Sequence, residues 1–312
     1  MKAITGFPPD DQDRQGWPWN VHGNPVPPYS DDPAAWPRLT VIMPSYNQAE
    51  FIDESIRSVL LQNYPNLEFM IFDGGSTDDT LAVIRKYEPW ITYWESKSDR
   101  GQSHAINKGF CRSTGDYIAW LNSDDLYYPG ALFAISRAIK KNPEAGMIYG
   151  AGAKIDMQSQ VLIRIPYRPY NNKLLSTRFY ILQQSSFVKR SILNHDKMVE
   201  EYLHYTMDWE LSIRVSRKAP VMAIPDEIGM FRIHDKCKTS TGQYFRKREI
   251  ALVGRQCNGI TDKNYLIFKI FHPVFRYDLC NPGKPGTLRR YFCFYWRKAL
   301  ALVVDPDSHM MH

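Results

Sequence analysis

The feature that most constrains the fold is a regular alternation of short apolar runs and amphipathic segments over residues 39–150. The runs have strand length, and the segments between them repeat apolar residues at helical spacing. Strands and helices that alternate in this way form a mostly parallel sheet flanked by helices, so we predict an α/β fold. Asn47 and Glu50 stand at capping-box spacing and predict the start of the first helix. The predicted strands cover residues 39–43, 67–72, 91–94 and 117–121, and another begins at Met147.

Polar side chains follow four of these runs at the point where each strand ends. In open α/β sheets, ligands bind outside the carboxyl ends of the strands. Polar segments at four consecutive strand ends therefore predict one binding site. These segments are residues 45–47, Asp73, residues 95–102 and residues 122–125.

The motifs that hold phosphate in other nucleotide-binding folds are missing from this sequence. PSYN follows the first strand where a dinucleotide fold has GxGxxG, and the chain contains no GxxxxGK[ST]. The zinc metalloprotease motif HExxH is absent from the sequence as well. A divalent metal is then the natural way to hold a diphosphate. Residues 122–125 (NSDD) offer carboxylate and amide oxygens, which Mg²⁺ and Mn²⁺ take together with substrate phosphates. The alternative interpretation of NSDD is a polar turn that caps a helix.

Three ordered motifs carry a resemblance to a known family. They are PSYNQAEFIDESIRSVLLQNYPNLEFMIFDGGSTDDT, SDRGQSHAINKGF and GDYIAWLNSDD. Together they resemble the nucleotide-binding half of the family-two inverting glycosyltransferases, which have the GT-A fold. The resemblance covers residues 39–150 and continues more loosely through MDWELSIR and FRIH to about residue 240. The resemblance thus implies a Rossmann-like nucleotide-binding half followed by an acceptor half.

The resemblance implies roles for individual residues around the donor. Asn122 stands where the family has the first Asp of its D-x-D motif, which alters the expected contact with the ribose. Asp124 matches the second Asp and is the first choice for the metal, Mn²⁺ or Mg²⁺, with help from Asp125 and His234. The implied nucleotide-binding residues are Pro44, Ser45, Tyr46, Asn47, Asp73, Asp99, Asn107, Lys108, Asn122 and Ser123.

The acceptor half supplies the catalytic base that the resemblance implies. Asp208 in MDWELSIR matches the family's catalytic Asp, although Met207 replaces the Glu that usually precedes it. A carboxylate there would take the proton of the acceptor hydroxyl. Glu210 is the second choice for the base. Gln183 and Gln184 match a segment that faces the acceptor.

We therefore expect a metal-dependent, hexosyltransferase-type enzyme that moves a sugar from a nucleotide-diphosphate donor, with a UDP-sugar as first choice. The acceptor would be a carbohydrate or a lipid-linked hydroxyl, in surface polysaccharide or glycolipid synthesis. No nucleic-acid partner is expected. Two alternatives stay open: a nucleotidyltransferase, for which the Gly-rich basic loop is missing, and a non-catalytic module that binds nucleotide sugars or a protein.

Composition bears on organisation and location. Eight prolines in residues 1–38 predict an extended arm, followed by a domain over residues 39–250 that divides at residue 150. Residues 251–312 mix large aromatics with Lys and Arg, which predicts either a packed helical extension or contact with a membrane interface.

Five irregularly spaced cysteines predict reduced thiols without a chemical role. We see no signal peptide or spanning segment, and expect a cytoplasmic protein, with the inner face of the membrane as the alternative location.

Overall fold

The computed structural model describes residues 7–9, 13–19, 35–193, 197–235, 237–238 and 243–258. One compact unit comprises residues 1–246, and a second comprises residues 247–312. The sequence-based expectations for the C-terminal extension fall mainly on residues outside the described part. Within the described part, no helix combines the length and the apolar character that a membrane span requires.

The described residues form nine strands and seven α-helices. The strands are β1 (Leu39–Ser45), β2 (Leu67–Asp73), β3 (Tyr93–Ser96), β4 (Tyr117–Trp120), β5 (Leu126–Tyr127), β6 (Met147–Ile155), β7 (Val161–Ile165), β8 (Ser186–Lys189) and β9 (Val221–Arg232). The helices are α1 (Ile52–Leu60), α2 (Thr80–Lys86), α3 (Gln102–Arg112), α4 (Ala131–Lys141), α5 (Asn172–Thr177), α6 (Met207–Ser216) and α7 (Gln243–Asn258).

The strands form one sheet in the order β3-β2-β1-β4-β8-β6-β9-β5, and β7 pairs with β6. The pairs among β3, β2, β1 and β4 are all parallel, which confirms the expected arrangement for the first half. The strands that follow pair in both directions, so the sheet as a whole is mixed. Because β1 lies between β2 and β4, the strand order reverses there, and a crevice opens at the carboxyl ends.

Strand β1 lies at the centre of the parallel half, and all seven of its residues are buried. Such strands have helices on both faces and consist mainly of apolar residues. Helix α3 crosses close to β1 at Gly109, where an added Cβ would lie 2.6 Å from a methyl carbon of Ile42. The glycine therefore allows α3 to pack closely on β1.

The described parts of the N-terminal arm pack on helix α1. Arg57 is buried, and its guanidinium donates hydrogen bonds to the carbonyl oxygens of Pro8 and Pro18 at 3.0 and 3.3 Å. The same guanidinium lies over the rings of Phe7 and Trp19, which adds a cation–π attraction. One buried arginine thus holds two separate pieces of the arm.

Candidate active site

The carboxyl ends of β1, β2 and β3 lie side by side, as the polar strand ends predicted. The register pairs Ser45 with Asp73, and Asp73 with Ser96. Pro44 and Ser45 are buried, whereas Tyr46, the next residue, is 60% exposed and stands free for stacking. The Ser45 hydroxyl is buried without a hydrogen-bond partner among the described residues.

Asp73 is 1% exposed and organises the turn that follows β2. Its Oδ2 accepts hydrogen bonds from the backbone N–H groups of Gly75 and Ser76 and from the Ser96 hydroxyl, at 3.0, 2.8 and 2.6 Å. Its Oδ1 accepts from the Ser76 hydroxyl. Both carboxylate oxygens are therefore bonded within the protein, and a contact between Asp73 and a base stays a prediction.

Asn47 does not cap helix α1, which begins at Ile52 without a side-chain cap. The capping-box prediction is wrong because the side-chain Oδ1 of Asn47 accepts from the backbone N–H of Thr77 at 2.8 Å. The Asn47 N–H in turn donates to the Ser76 hydroxyl at 2.8 Å. Asn47 has a positive φ of 52°, which asparagine tolerates better than most residues. It therefore ties the loop after β1 to the loop after β2.

Asp99 and Lys108 stand on the β3 side of this edge. The Asp99 carboxylate accepts from the backbone N–H of Gly101 at 2.7 Å and lies against Gly74, where an added Cβ would come within 3.1 Å of it. Lys108 forms an ion pair with Glu95. Burial raises the pKa of Glu95, but hydrogen bonds from Lys108 and Tyr93 outweigh that effect and hold it below its ordinary value.

Asn107 faces the protein interior. Its Oδ1 accepts from the backbone N–H groups of Met198 and Val199 at 2.9 and 3.0 Å, and its Nδ2 donates to the Val199 carbonyl at 2.9 Å. The side chain is only 6% exposed. Asn107 thus fastens α3 to the segment before α6, and its predicted place beside the nucleotide has no free polar atom to support it.

The NSDD turn follows β4 at the switch point of the sheet. Ser123 is buried, and Asn122 donates to Asp125 Oδ2 at 2.9 Å. Asp125 is fully buried and also accepts from Gln184 Nε2 at 2.6 Å and from the Arg232 N–H at 2.9 Å. Burial, and then the charge of Asp124, raise the pKa of Asp125 well above its usual range. The protein donors thus occupy both Asp125 oxygens, so the geometry favours Asp124 over Asp125 for a metal.

Asp124 and His234 are brought together across 110 residues of sequence. The Asp124 Oδ2 lies 3.0 Å from His234 Nε2, and the Asp124 side chain is 18% exposed. The His234 ring packs on Phe51 with the centroids 4.8 Å apart. One carboxylate oxygen and one imidazole nitrogen at this spacing suit a divalent ion such as Mn²⁺. The donor set therefore fits the metal that the resemblance implies.

Arg232 holds the Asp124 turn from behind and has no exposed surface. Its Nε donates to the Asp124 carbonyl at 2.8 Å, and its Nη2 forms an ion pair with Glu54 at 2.7 Å. Its Nη1 donates to the Asp156 carbonyl at 2.9 Å and to the Ser159 hydroxyl at 2.9 Å. One side chain thus joins β9, the NSDD turn, α1 and the β6–β7 loop, a role that the sequence analysis missed.

Asp208 lies in the first turn of α6 and is half-buried. Its Oδ1 accepts from the Trp209 N–H at 2.8 Å. Burial is the largest influence and raises the pKa of Asp208 to about 6, while the positive charges of Arg246 and Lys238 oppose this rise. Glu210 is 8% exposed and forms an ion pair with Arg214 at 2.9 Å, so it is the poorer candidate for a base.

Two residues that the sequence analysis did not single out adjoin the NSDD turn. Gln102 Nε2 donates to Asn122 Oδ1 at 2.5 Å, and Lys238 Nζ donates to Gln102 Oε1 at 2.8 Å. The positive charge of Lys238 also opposes the rise in the pKa of Asp208. Lys238 thus contacts the NSDD turn through Gln102 and influences Asp208 electrostatically.

The contacts of Gln183 and Gln184 lie within the protein, and their place beside the acceptor stays a prediction. Both are buried, with exposed fractions of 8% and 4%. Gln183 Nε2 donates to the Trp120 carbonyl at 2.8 Å, and Gln184 Nε2 donates to Asp125. They support the strand and the turn that carry Asp124.

Comparison with known proteins decides the family. The model of Glycosyl transferase family 2 matches residues 40–195, which is half of the chain and includes the strand ends and the NSDD turn. The chain belongs to glycosyltransferase family 2. An uncharacterised glycosyltransferase from Rickettsia typhi is 29% identical over 213 residues, which cover 66% of this chain and 67% of the relative. An uncharacterised glycosyltransferase from Mycobacterium tuberculosis is 28% identical over 160 residues, or 50% of this chain and 60% of the relative.

Two solved structures show the fold of this glycosyltransferase. Residues 1–349 of S. aureus TarS in complex with UDP-GlcNAc align with a TM-score of 0.59 at 16% identity, covering 86% of this chain and 76% of that one. The mannosyltransferase PcManGT from Pyrobaculum calidifontis, in complex with GDP-Man and Mn²⁺, aligns with a TM-score of 0.55 at 19% identity, covering 87% and 82%. These likenesses confirm the GT-A-type α/β fold.

Proposed function

We propose that this glycosyltransferase moves a sugar, with inversion at the anomeric carbon, from a metal-bound nucleotide-diphosphate donor to an acceptor hydroxyl. The observation that carries the proposal is the Asp124–His234 pair, 3.0 Å apart at the end of β4 in the crevice of the parallel half-sheet. The donor classes in the TarS and PcManGT complexes, UDP-GlcNAc and GDP-Man, support a nucleotide-diphosphate sugar. UDP is our first choice for the nucleotide.

The nucleotide would lie over the ends of β1, β2 and β3. Tyr46 is exposed there and offers an aromatic face to the base. Asp99 is half-buried against Gly74 and offers its carboxylate to the ribose or the base. Asn47 cross-links the loops after β1 and β2, and Asp73 bonds its own turn to Ser96 on β3, so the surface that receives the nucleotide is already rigid before binding.

Asp124 and His234 would hold the divalent ion. When bound, such an ion neutralises the charge of the diphosphate leaving group. The buried Arg232 keeps the Asp124 backbone in place through its Nε contact with the Asp124 carbonyl. Because Asp125 is bonded to Gln184, Asn122 and Arg232, its contribution would be to fix the turn that presents Asp124.

Asp208 would act as the general base. The acceptor oxygen forms a bond to the anomeric carbon, the bond from that carbon to the diphosphate oxygen breaks, and the hydroxyl proton passes to the Asp208 carboxylate. A pKa of about 6 keeps Asp208 ionised at neutral pH and still makes it a better proton acceptor than an ordinary aspartate. The Trp209 N–H orients the carboxylate through its contact with Oδ1.

The acceptor would be a carbohydrate or a lipid-linked hydroxyl of surface polysaccharide or glycolipid assembly. In the acceptor half, strand β7 exposes the apolar side chains Val161, Leu162 and Ile163 to between 44% and 53%. Val161 and Ile163 share one face of the strand, because successive strand residues point to opposite faces, and this apolar pair would contact an acceptor with an apolar part.

Replacing Asp124 tests the donor site directly. In a thermal-shift titration with UDP, GDP and TDP, we expect one nucleotide plus Mn²⁺ to raise the Tm of the unaltered chain. At 100 times the Kd, the gain is about 2.7 kcal/mol, or roughly 4 °C. The Asp124→Ala variant should lose this metal-dependent shift. Asp226→Ala, which removes an exposed carboxylate paired with Arg137, is the matched control and should keep it.

The outcomes of this titration separate the candidate functions. A shift by one diphosphate that depends on both Mn²⁺ and Asp124 supports the proposed donor site. Equal shifts for unaltered chain and Asp124→Ala would place the metal elsewhere. A folded chain that none of the three nucleotides stabilises would instead favour the non-catalytic alternative.

The elevated pKa of Asp208 predicts the acid side of the pH profile. Below about pH 6 the carboxyl is protonated and accepts no proton, so kcat/KM should fall about tenfold for each pH unit further down. In Lys238→Met the positive charge that lowers this pKa is gone, and the acid limb should move to higher pH. Nucleotide affinity, followed over the same pH range, separates this limb from a loss of donor binding. An acid limb that stays in place in Lys238→Met would contradict the assignment.

A further inference from the structure

Cys237 lies next to the two residues assigned to the metal. Its thiol donates to the Arg232 carbonyl at 3.1 Å, and its sulfur accepts the backbone N–H of His234 at 3.2 Å. The side chain is 3% exposed. These two hydrogen bonds fix the position of the sulfur beside Arg232 and His234.

Asp124, His234 and Cys237 bring three different donor atoms to one point. The carboxylate oxygen, the imidazole nitrogen and the sulfur all lie within 4.8 Å of one another. In the part of the chain that the structure describes, this is the one group of three such side chains at metal-binding spacing. Metal–ligand bonds of about 2.0 to 2.3 Å place the donors around one ion roughly 3 to 4 Å apart, which small side-chain movements here would reach.

We propose that Cys237 is the third protein ligand of the metal site. This inference rests on the proposed function, because it uses the same Asp124 and His234. When an ion enters, the S–H bond breaks, the proton passes to solvent, and the sulfur lone pair forms the bond to the ion; no electron is transferred. The Arg232 carbonyl then loses the thiol as a donor.

An oxygen, nitrogen and sulfur donor set has a different ion preference from an all-oxygen set. Mg²⁺ prefers oxygen ligands, whereas thiolate favours softer ions such as Zn²⁺, Co²⁺ and Cd²⁺. Cys237 therefore sets the selectivity of the site and disfavours Mg²⁺ relative to these ions. Cys237→Ser should weaken Co²⁺ and Cd²⁺ binding by about tenfold or more and leave the affinity for Mg²⁺ nearly unchanged.

Cobalt spectroscopy on the full-length chain tests this ligand without an activity assay. The chain has five cysteines, so the test uses a variant with Cys111, Cys257, Cys280 and Cys293 replaced by serine. Titration with Co²⁺, with and without UDP, should produce the near-ultraviolet band of sulfur-to-cobalt charge transfer. Adding Cys237→Ser to this background should abolish the band. Cys111→Ser alone, in the unaltered chain, should retain it.

The results distinguish failure of the ligand from failure of the site. Co²⁺ that binds by calorimetry and depends on Asp124, but gives no sulfur band, overturns the role of Cys237 and leaves the proposed metal site standing. An absence of Co²⁺ binding, with or without UDP, overturns both. Serine keeps a donor for the Arg232 carbonyl, and the Tm of Cys237→Ser checks that the fold survives.

Discussion

Asp208→Asn should lower kcat by about a hundredfold to ten-thousandfold, the range that a positioned general base contributes. Asparagine keeps an oxygen that can accept the Trp209 N–H, so the side chain should stay in place. It has no ionisable oxygen, so it cannot take the acceptor proton. Steady-state kinetics with the donor identified by titration, combined with a melting curve, gives the two readouts needed.

Stability and donor binding are the internal controls for this variant. Burial disfavours the charged form of Asp208, as its raised pKa records, so removal of the charge should not lower the Tm. Nucleotide binding should also be unchanged, because the donor contacts come from other strand ends. If kcat stays within a few-fold of the unaltered chain, the base lies elsewhere. A loss of Tm together with kcat would instead mean a structural role.

Glu210→Gln provides the comparison within the same helix. Glu210 is ion-paired with Arg214 and buried, so its replacement should affect stability more than chemistry. A larger loss of kcat in Glu210→Gln than in Asp208→Asn would exchange the two roles. The motif MDWELSIR contains both carboxylates, and its pattern alone does not show which of them is the base. The ion pair between Glu210 and Arg214 favours Asp208 for that role.

The edge of the sheet that carries the site could be predicted from the sequence. Apolar runs of strand length separated by helical segments leave few arrangements, and parallel strands place all their carboxyl ends on one edge. Ser45, Asp73 and Asp124 follow three such strands and do lie on that edge. The prediction worked because it depends only on local periodicity and on the direction of the strands.

The sequence could not show which polar atoms on that edge remain available. Asp73 and Asn107 have the expected residue types, but backbone N–H groups occupy their oxygens. The partners of Asp73 are local, as is common for Asp, whereas those of Asn107 are Met198 and Val199, far away in sequence. Asn47 was assigned to a helix cap, although its partner, Thr77, lies 30 residues away.

Contacts between residues far apart in sequence were also out of reach. His234 meets Asp124 only because β9 runs beside β5, which follows the NSDD turn. The family resemblance suggested that histidine, whereas the sequence analysis gave Cys237 no chemical role. His234 and Cys237 are three residues apart, but this spacing alone does not indicate a metal site. It does so only when the fold places Asp124 beside both side chains.

Arg232→Met should be the most destabilising single change near the site. The guanidinium is fully buried and pairs with Glu54, which is 5% exposed and 178 residues away in sequence. Removal of one partner leaves a buried carboxylate without its counter-charge, which typically costs about 3 to 5 kcal/mol. For a chain of this size, that corresponds to a drop in Tm of roughly 5 to 8 °C. Differential scanning calorimetry at neutral pH measures it.

A double variant distinguishes the buried charge from simple loss of packing. Arg232→Met combined with Glu54→Leu removes both charges and should recover much of the lost stability, because no uncompensated carboxylate remains. Arg232→Lys keeps the charge but cannot make the forked contacts to Glu54, the Asp124 carbonyl and Ser159 together. Its Tm should therefore lie between that of Arg232→Met and that of the unaltered chain. A melting temperature of Arg232→Met equal to that of the unaltered chain would contradict this account.

The same variants test whether Arg232 positions the metal site. With both charges removed, the fold should recover, but the contact from the guanidinium to the Asp124 carbonyl is still missing. We therefore expect the stable double variant to bind Mn²⁺ and nucleotide more weakly than the unaltered chain, by about ten- to a hundredfold, as for other residues that support a metal ligand. Equal affinity in the two proteins would mean that Arg232 serves only stability. Weaker binding would mean that one buried arginine sustains both the fold and the geometry of Asp124.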